Sequence, residues 1–193
     1  DPKNQKGAAY LKDGKITHYT KESTKGNLLS DFVQSVEIDN EGKVWLATSL
    51  GLVRFDPANN GWKNWTKKDG LPAESINTLT ADGKGGMWIG TYPDTIDAEK
   101  NIYSGGYAYM NNAGVIKTYK DTKNTKFADQ WVRSISVDPE GGAWIVMSGS
   151  YSTMENVGGR VEYVNPKGEI ETKYTGQELL PNELKDNAEI RTL

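Results

Sequence analysis

The sequence lacks several features that mark common classes of protein. It has no cysteine among its 193 residues, which excludes disulfides and cysteine-bound metals. No apolar run reaches the roughly 18 residues of a membrane-spanning helix, so we expect no membrane contact by this segment. The 23 basic and 26 acidic residues are spread along the chain without a basic block. Nucleic-acid binding is therefore not expected.

Aromatic residues and glycine are abundant instead. Six tryptophans, ten tyrosines and 21 glycines are typical of an all-β protein with many short strands and turns. The motif Asp-x-x-Gly-x-x-Trp occurs at 39–45, 82–88 and 138–144. Its Asp side chain can accept backbone N–H groups and its Gly tolerates positive φ, so each copy predicts a β-hairpin. The strand that carries Trp is apolar on consecutive residues and must be covered on both faces.

A second hairpin follows each of these tryptophans. A glycine precedes an aromatic by four residues at Gly51 and Phe55, Gly105 and Tyr109, and Gly159 and Tyr163. Each repeat therefore has four strands, named A to D, joined as an A–B and a C–D hairpin. The repeated tryptophans are 43 and 56 residues apart, and most of the extra 13 residues lie between strands B and C. The shorter spacing is typical of four-stranded propeller blades, and insertions in loops are tolerated there.

These spacings predict an all-β fold, a β-propeller of four-stranded antiparallel blades. The first complete blade has predicted strands at 33–38, 43–48, 52–55 and 62–66, and the pattern recurs at 76–91 with 107–119 and at 132–147 with 160–174. Three complete blades (27–70, 71–126, 127–178) stand between partial blades at 1–26 and 179–193. Joining the ends would leave a blade without strand B, so we expect a segment of a larger propeller, partnered by its remaining blades. One helical turn could form within 176–189, broken by Pro181.

Residues 28–56 and 70–91 also match a known repeat. The first stretch holds Asp-x-x-Gly-x-x-Trp-Leu-Ala-Thr and then Gly-Leu-Val-Arg-Phe, and the second runs from Gly-Leu-Pro to Trp-Ile-Gly-Thr. The third copy departs, with Trp-Ile-Val-Met at 144–147. The pattern resembles the two-component regulator propeller repeat. That resemblance implies a propeller, often of seven blades, which forms the extracytoplasmic sensing region (periplasm or cell surface) of a bacterial signalling protein.

Candidate binding residues lie where the repeat is interrupted. In a propeller the B–C loops and the links from strand D to the next strand A open on one face, so loops 91–105 and 147–158 should share it. They carry aromatic and hydrogen-bonding groups that suit a small polar ligand, such as a glycan fragment, or a protein partner. The alternative is that the loops merely cap the blades. The candidates from the loops are Tyr92, Asp94, Tyr103, Tyr151, Glu155 and Asn156, and those from the links are Asp31, Glu74, Gln130 and Trp131.

Metal binding and catalysis have weaker support. Asp94, Asp97, Glu99 and Asn101 form an oxygen-rich cluster. Calcium could use such oxygens, but the spacing matches no calcium loop, and a solvated acidic loop is the favoured interpretation. His18 has no carboxylate or nucleophile at a suggestive spacing, so we expect no catalytic residue, no metal site and no cofactor.

Three functions from different classes are compatible with this pattern. The favoured hypothesis is a non-enzymatic, extracytoplasmic ligand-sensing region of a two-component-type signalling protein. The first alternative is a protein-interaction or structural platform without a small ligand. The second is a propeller enzyme, a lyase or hydrolase, whose catalytic residues lie outside this segment. Because a repeat signature defines a scaffold, it does not by itself choose among them.

Overall fold

The protein is built from short antiparallel strands. The computed structural model describes residues 7–97, 102–119, 131–148 and 159–175. In these ranges, 16 strands form three four-stranded sheets and two two-stranded sheets. The one helical element among the described residues is a 3-10 turn at Lys67–Asp69. None of the helical structure in these ranges has the length and apolarity that crossing a bilayer requires.

The strands follow the repeat along the chain. A first hairpin consists of β1 (Ala8–Lys12) and β2 (Lys15–Tyr19). Blade 1 consists of β3 (Val33–Ile38), β4 (Val44–Thr48), β5 (Gly51–Asp56) and β6 (Gly61–Trp65). Blade 2 consists of β7 (Ile76–Ala81), β8 (Met87–Thr91), β11 (Tyr107–Met110) and β12 (Ile116–Tyr119). Blade 3 consists of β13 (Val132–Val137), β14 (Ala143–Met147), β15 (Arg160–Val164) and β16 (Ile170–Thr175).

In all three blades the strands pair in the order A, B, C, D, antiparallel throughout. The predicted strands are confirmed with ends that agree to about one residue, the scatter normal for such boundaries. The chain is therefore a segment of a β-propeller with three complete blades. The possible helical turn at 176–189 and the partial blade at 179–193 lie outside the described residues.

The A–B turns explain the repeated Asp and Gly. In blade 1, Asp39 Oδ1 accepts the backbone N–H groups of Glu41 (2.9 Å) and Lys43 (3.0 Å). Gly42 has a φ of 76° and donates its N–H to the Asp39 carbonyl, a conformation that favours glycine. The equivalent Asp82 and Asp138 hold their turns with the same backbone bonds. The motif is thus a turn device that positions strand B.

Two local elements were not predicted. The 3-10 turn is closed by a capping box, in which the Thr66 side chain and Asp69 each bind the other's backbone, and it ends at Gly70 in the left-handed region. The sequence predicts a loop for the insertion between β8 and β11. The insertion instead forms a two-stranded hairpin of β9 (Asp94–Asp97) and β10 (Ile102–Ser104).

Packing between blades buries two of the three repeated tryptophans. Trp45 is 4% exposed and lies in a core cluster with Ile76, Ile89 and other residues of blade 2. Trp88 is 3% exposed and lies in the next cluster with Val132 of blade 3. Both confirm the predicted burial between neighbouring blades. Trp144 is only partly buried among the described residues, and its ring lies 4.8 Å from that of Tyr163.

The register of strand C corrects one part of the sequence alignment. Tyr109 pairs with Trp88, and Tyr163 pairs with Trp144. In blade 1, however, the partner of Trp45 is Arg54, while Phe55 pairs with Val44. Aligning Phe55 with the two tyrosines was therefore wrong by one residue. The error arose because the structural equivalent of Gly51 is Gly106 and not Gly105. Thr48 donates its hydroxyl to the Gly51 carbonyl, and Thr91 donates to the Gly106 carbonyl in the same way.

Candidate functional site

The B–C loops and the D–A links meet at one backbone contact in every blade. The residue after strand B donates its N–H to the carbonyl of the residue that precedes strand A. The pairs are Ser49 to Phe32 (3.2 Å), Tyr92 to Ser75 (2.9 Å) and Ser148 to Trp131 (2.9 Å). Because this bond recurs, the loops and links open at the same end of each blade, as the repeat predicted.

Tyr92 and Trp131 join blade 2 to blade 3 at this end. Their ring centroids are 4.4 Å apart at an interplanar angle of 35°. The guanidinium of Arg133 lies 3.1 Å from the centroid of the Trp131 ring, a cation–π arrangement. Burial raises the pKa of Tyr92 above its usual value, and the charge of Arg133 partly offsets that effect. The Trp131 Nε1 donor is buried and has no hydrogen-bond partner among the described residues.

Asp94 adds a carboxylate at the edge of the inserted hairpin. Its Oδ2 lies 2.8 Å from Lys67 Nζ, in an ion pair whose side chains are 20% and 39% exposed. Both of its oxygens also lie 3.3 Å from the backbone nitrogen of Glu74, which donates to them. Asp94 therefore ties the insertion to the link that precedes β7. Four predicted residues thus lie in two adjoining contacts, Tyr92 with Trp131 and Asp94 with the backbone of Glu74. Arg133 extends the first contact and Lys67 the second, and the sequence predicts neither of them.

The other predicted residues do not join this cluster in the described part of the chain. Asp31 accepts the N–H groups of Lys21 through its side chain (2.6 Å) and Gly7 through its carbonyl (3.0 Å), so it fastens the first hairpin to blade 1. Tyr103 of β10 pairs with Thr95 of β9, and the side chain of Tyr103 lies outside the described part of the structure. Four candidates lie outside the described residues: Gln130, Tyr151, Glu155 and Asn156.

Catalysis and metal binding gain no support from the described residues. His18 is exposed on β2, opposite Ala9. No group of three or more His, Cys, Asp or Glu side chains comes close enough to hold a metal ion within the described ranges. Glu99 and Asn101 of the acidic cluster lie outside them.

Two tyrosines tie strand C to the A–B turn. Tyr109 donates its hydroxyl to Asp82 Oδ2, and Tyr163 donates to Asp138 Oδ2, both at 2.6 Å. The bond from Tyr163 lowers the pKa of Asp138 and raises that of Tyr163 to about 12. Burial raises the pKa of Asp82, but hydrogen bonds from Tyr109 and from backbone N–H groups outweigh it and lower the pKa.

Replacing Tyr163 with phenylalanine should raise the pKa of Asp138 toward its ordinary value. A carboxyl group whose pKa is lowered by folding stabilises the fold at pH values above its unfolded-state pKa of about 4. That stabilisation is lost as the pH falls through the folded-state pKa. The variant should therefore lose less stability than the wild type between neutral and acidic pH. A carboxyl NMR titration of Asp138 measures the shift, with the exposed Tyr10→Phe as control. An unchanged Asp138 pKa in Tyr163→Phe would contradict the assigned bond.

A buried polar network was missed by sequence reasoning. Tyr107 of blade 2 donates its hydroxyl to Glu162 Oε2 of blade 3 at 2.6 Å. Glu162 is 1% exposed, and its Oε1 lies 3.2 Å from Nε of Arg160, which is also buried. Burial and the neighbouring Glu162 carboxylate raise the pKa of Tyr107 well above its usual range. The network joins the two blades inside their packed interface, so we treat it as structural.

Comparison with protein families identifies the repeat. Residues 70–92 match the family model described as "Two component regulator propeller". The chain carries the two-component regulator propeller repeat. The matched stretch covers strands β7 and β8 and ends at Tyr92, the first residue of the insertion between strands B and C. Among curated protein sequences, none matches the chain significantly.

Solved structures share the propeller fold. The extracellular domain of a hybrid two-component system from B. thetaiotaomicron has 19% identity and a TM-score of 0.58, over 86% of this chain and 20% of its own. A second such domain from that organism has 16% identity and a TM-score of 0.51, over 82% and 24%. PorZ, a surface component of the type-IX secretion system of Porphyromonas gingivalis, has 15% identity and a TM-score of 0.55, over 89% and 24%. The chain thus spans a quarter or less of each of these structures.

Proposed function

We propose that this chain is part of the ligand-sensing propeller of a two-component-type signalling protein and works outside the cytoplasm. The propeller repeat at residues 70–92 supports this assignment, as does the likeness in fold to extracellular domains of two-component systems. The proposed role is non-enzymatic. The described residues supply stacking, charge and hydrogen bonding, and they do not assemble a nucleophile with a base.

The observation that carries the proposal is the cluster at the interruption of the repeat. Blade 1 joins strands B and C with the two-residue link Ser49 and Leu50, whereas blade 2 inserts residues 92–105 at the same place. That insertion brings Tyr92 against Trp131 and Asp94 against Lys67. Packing of the blades does not require an insertion, because blade 1 lacks one. Its side chains are therefore free to serve recognition.

The chemistry of the cluster favours a small polar ligand, such as a glycan fragment. Tyr92 and Trp131 offer ring surface beside polar atoms, which suits ligands with alternating apolar faces and hydroxyl groups. Asp94 and Lys67 add charge, and Trp131 Nε1, which has no hydrogen-bond partner among the described residues, adds a donor. The alternative, a platform for a protein partner, would use the same rings on a flatter surface and would show no response to small ligands.

The remaining blades are the second proposed partner. The first hairpin has two strands of a blade, and beside it an apolar groove of about 410 Å³ faces blade 1. Val36 and Ile38, on strand A of blade 1, face that groove and are 54% and 61% exposed. Strands A and B of the blade to which the first hairpin belongs would cover these two side chains, just as blades 1 and 2 cover strand A of the blade that follows each of them.

The test compares the wild type with a variant in which a single serine replaces residues 93–105. The resulting link, Thr91-Tyr92-Ser-Gly106, has the length of the link in blade 1. Pools of neutral and acidic oligosaccharides are added, and the melting temperature is measured. At least one pool should raise the melting temperature of the wild type, because a ligand that binds the native state stabilises it. The shortened variant should fold and lose that response.

The two aromatic links provide a matched control. Phe32 precedes β3 as Trp131 precedes β13, and both accept the same backbone hydrogen bond from the residue after strand B. Trp131→Ala should abolish the ligand-dependent shift, whereas Phe32→Ala should retain it. A wild type that responds to none of the pools would contradict glycan sensing, and equal losses in both alanine variants would remove the cluster from the binding site.

A further inference from the structure

Blade 1 departs from the other two blades at two adjoining positions. Where blades 2 and 3 have Tyr109 and Tyr163 opposite the repeated Trp, blade 1 has Arg54. Where they have Gly86 and Gly142, two residues before that Trp, blade 1 has Lys43. Two cations thus replace a glycine and a tyrosine at the same end of the blade.

The glycine and the tyrosine depend on each other. A Cβ atom placed on Gly86 would collide with the Tyr109 hydroxyl, and one placed on Gly142 would collide with that of Tyr163. A lysine at this position is therefore incompatible with the tyrosine that fills the space in blades 2 and 3. In blade 1 Asp39 has no tyrosine to bind, and it accepts the indole N–H of Trp45 instead (2.8 Å).

A groove of about 390 Å³ opens at these positions, between blades 1 and 2. It lies at the end of the blades where the A–B and C–D turns emerge, opposite the end that holds Tyr92. Its walls include the turn at 39–43 of blade 1 and the turns at 84–85 and 111–114 of blade 2. The volume is within the range of about 300–1,000 Å³ that is usual for small-ligand pockets.

Positive charge is concentrated in this groove, although the chain as a whole has a net charge of −3. Four cations line it, Lys43, Arg54, Lys63 and Lys84, against two carboxylates, Asp39 and Glu41. Glu41 is paired with Lys43, and Asp39 is bound by the Trp45 indole and its own turn. Among the described residues no ion pair includes Arg54 or Lys63.

Arg54 and Lys63 are held close together by their surroundings. They are direct cross-strand partners in β5 and β6. The Arg54 guanidinium lies 5.4 Å from the Trp45 ring and 5.6 Å from the Trp65 ring, and Lys63 Nζ lies 4.9 Å from the Trp65 ring. Like charges directly opposite each other destabilise a sheet. An anion between them would remove that repulsion and gain charge-assisted hydrogen bonds.

We propose that this groove is a binding site for a small ligand that carries an oxyanion group, either a carboxylate or a phosphate. Arg54 and Lys63 bind the oxyanion, and the stacked Trp45 and Trp65 rings, 5.3 Å apart, hold Arg54 in place. Lys43 keeps the groove open by occupying the glycine position. The site is separate from the Tyr92 cluster and does not rest on the function proposed for it.

The test is an NMR titration that follows the indole N–H signals of Trp45 and Trp65 and the Nε–H signal of Arg54. The probes are inorganic phosphate and sodium glucuronate, with glucose as the uncharged control, at constant ionic strength. We expect saturable shifts with a dissociation constant of about 1 mM or tighter for at least one anion, and none for glucose. Glucuronate without phosphate would indicate an organic anion, and phosphate alone would indicate the inorganic ion.

The repeat supplies the variant that removes the site. The double variant Lys43→Gly with Arg54→Tyr gives blade 1 the glycine and tyrosine of blades 2 and 3. The tyrosine should fill the groove, so we expect the affinity for the anion to fall at least about tenfold. Lys12→Gln with Lys15→Gln, on the exposed first hairpin, removes the same charge and should bind like the wild type. Arg54→Gln, which removes the charge and keeps a polar side chain, serves if the double variant fails to fold. Non-saturable shifts in the wild type, or equal affinity in the wild type and the Arg54 variants, would overturn the proposal.

Discussion

Replacing Arg160 with methionine is expected to lower the free energy of unfolding by about 3–5 kcal/mol. Arg160 and Glu162 are both buried at the interface of blades 2 and 3, with Nε and Oε1 3.2 Å apart. Without the guanidinium, the buried Glu162 carboxylate would lose its neighbouring cation and keep the hydrogen bond from the Tyr107 hydroxyl. Removing the cation from a buried ion pair costs far more than the pair itself is worth. Urea unfolding of both proteins measures the difference.

A second variant separates the buried charge from simple loss of packing. Combining Arg160→Met with Glu162→Met and Tyr107→Phe removes the three polar side chains of this network that the described residues contain, and it keeps much of their volume. This triple variant should recover most of the stability lost in Arg160→Met, because apolar groups can replace a buried ion pair at little cost. A triple variant even less stable than Arg160→Met would show that the network stabilises the interface through its bonds.

Replacing Trp88 with alanine should destabilise the protein by about 3–5 kcal/mol. The ring is 3% exposed and packs between blades, against Val132 and the rings of Tyr109 and Tyr119. The cavity left by its removal lies between two sheets that other contacts hold apart. Thermal or urea unfolding measures the loss. Trp144→Ala is the matched comparison, and its smaller burial predicts a smaller effect; a larger loss from Trp144→Ala would contradict this account of the packing.

Much of the fold could be predicted because the residues that determine it recur at the same spacing in each repeat. The Asp and Gly of the turn, the apolar run of strand B and the buried Trp recur in three copies, so chance agreement is small. Turn chemistry is local, and both Asp39 and Gly42 perform the roles that their residue types favour. Burial of Trp45 and Trp88 follows from strands that are apolar on both faces.

The parts that could not be predicted depend on contacts between distant residues. Because Gly105 and Gly106 are adjacent, the sequence leaves the register of strand C ambiguous by one residue. The sequence alone therefore does not show that Arg54 of blade 1 is the counterpart of Tyr109 in blade 2. The network of Tyr107 with Glu162 joins strands 55 positions apart, and no spacing rule connects them. Tyr92 and Asp94 were found from the interrupted repeat, whereas Arg133 and Lys67 needed the structure, since they belong to regular elements or turns.

The central claim, that recognition lies at the insertion in blade 2, is tested most directly by isothermal titration. The oligosaccharide fraction that stabilises the wild type is titrated into the wild type and into the variant in which one serine replaces residues 93–105. Loop length contributes little to stability, and the exposed Lys67–Asp94 pair contributes about 1 kcal/mol or less, so both proteins should be folded. The account predicts binding by the wild type and at least about tenfold weaker binding by the variant. Equal affinities in two folded proteins would contradict it and place the binding face elsewhere.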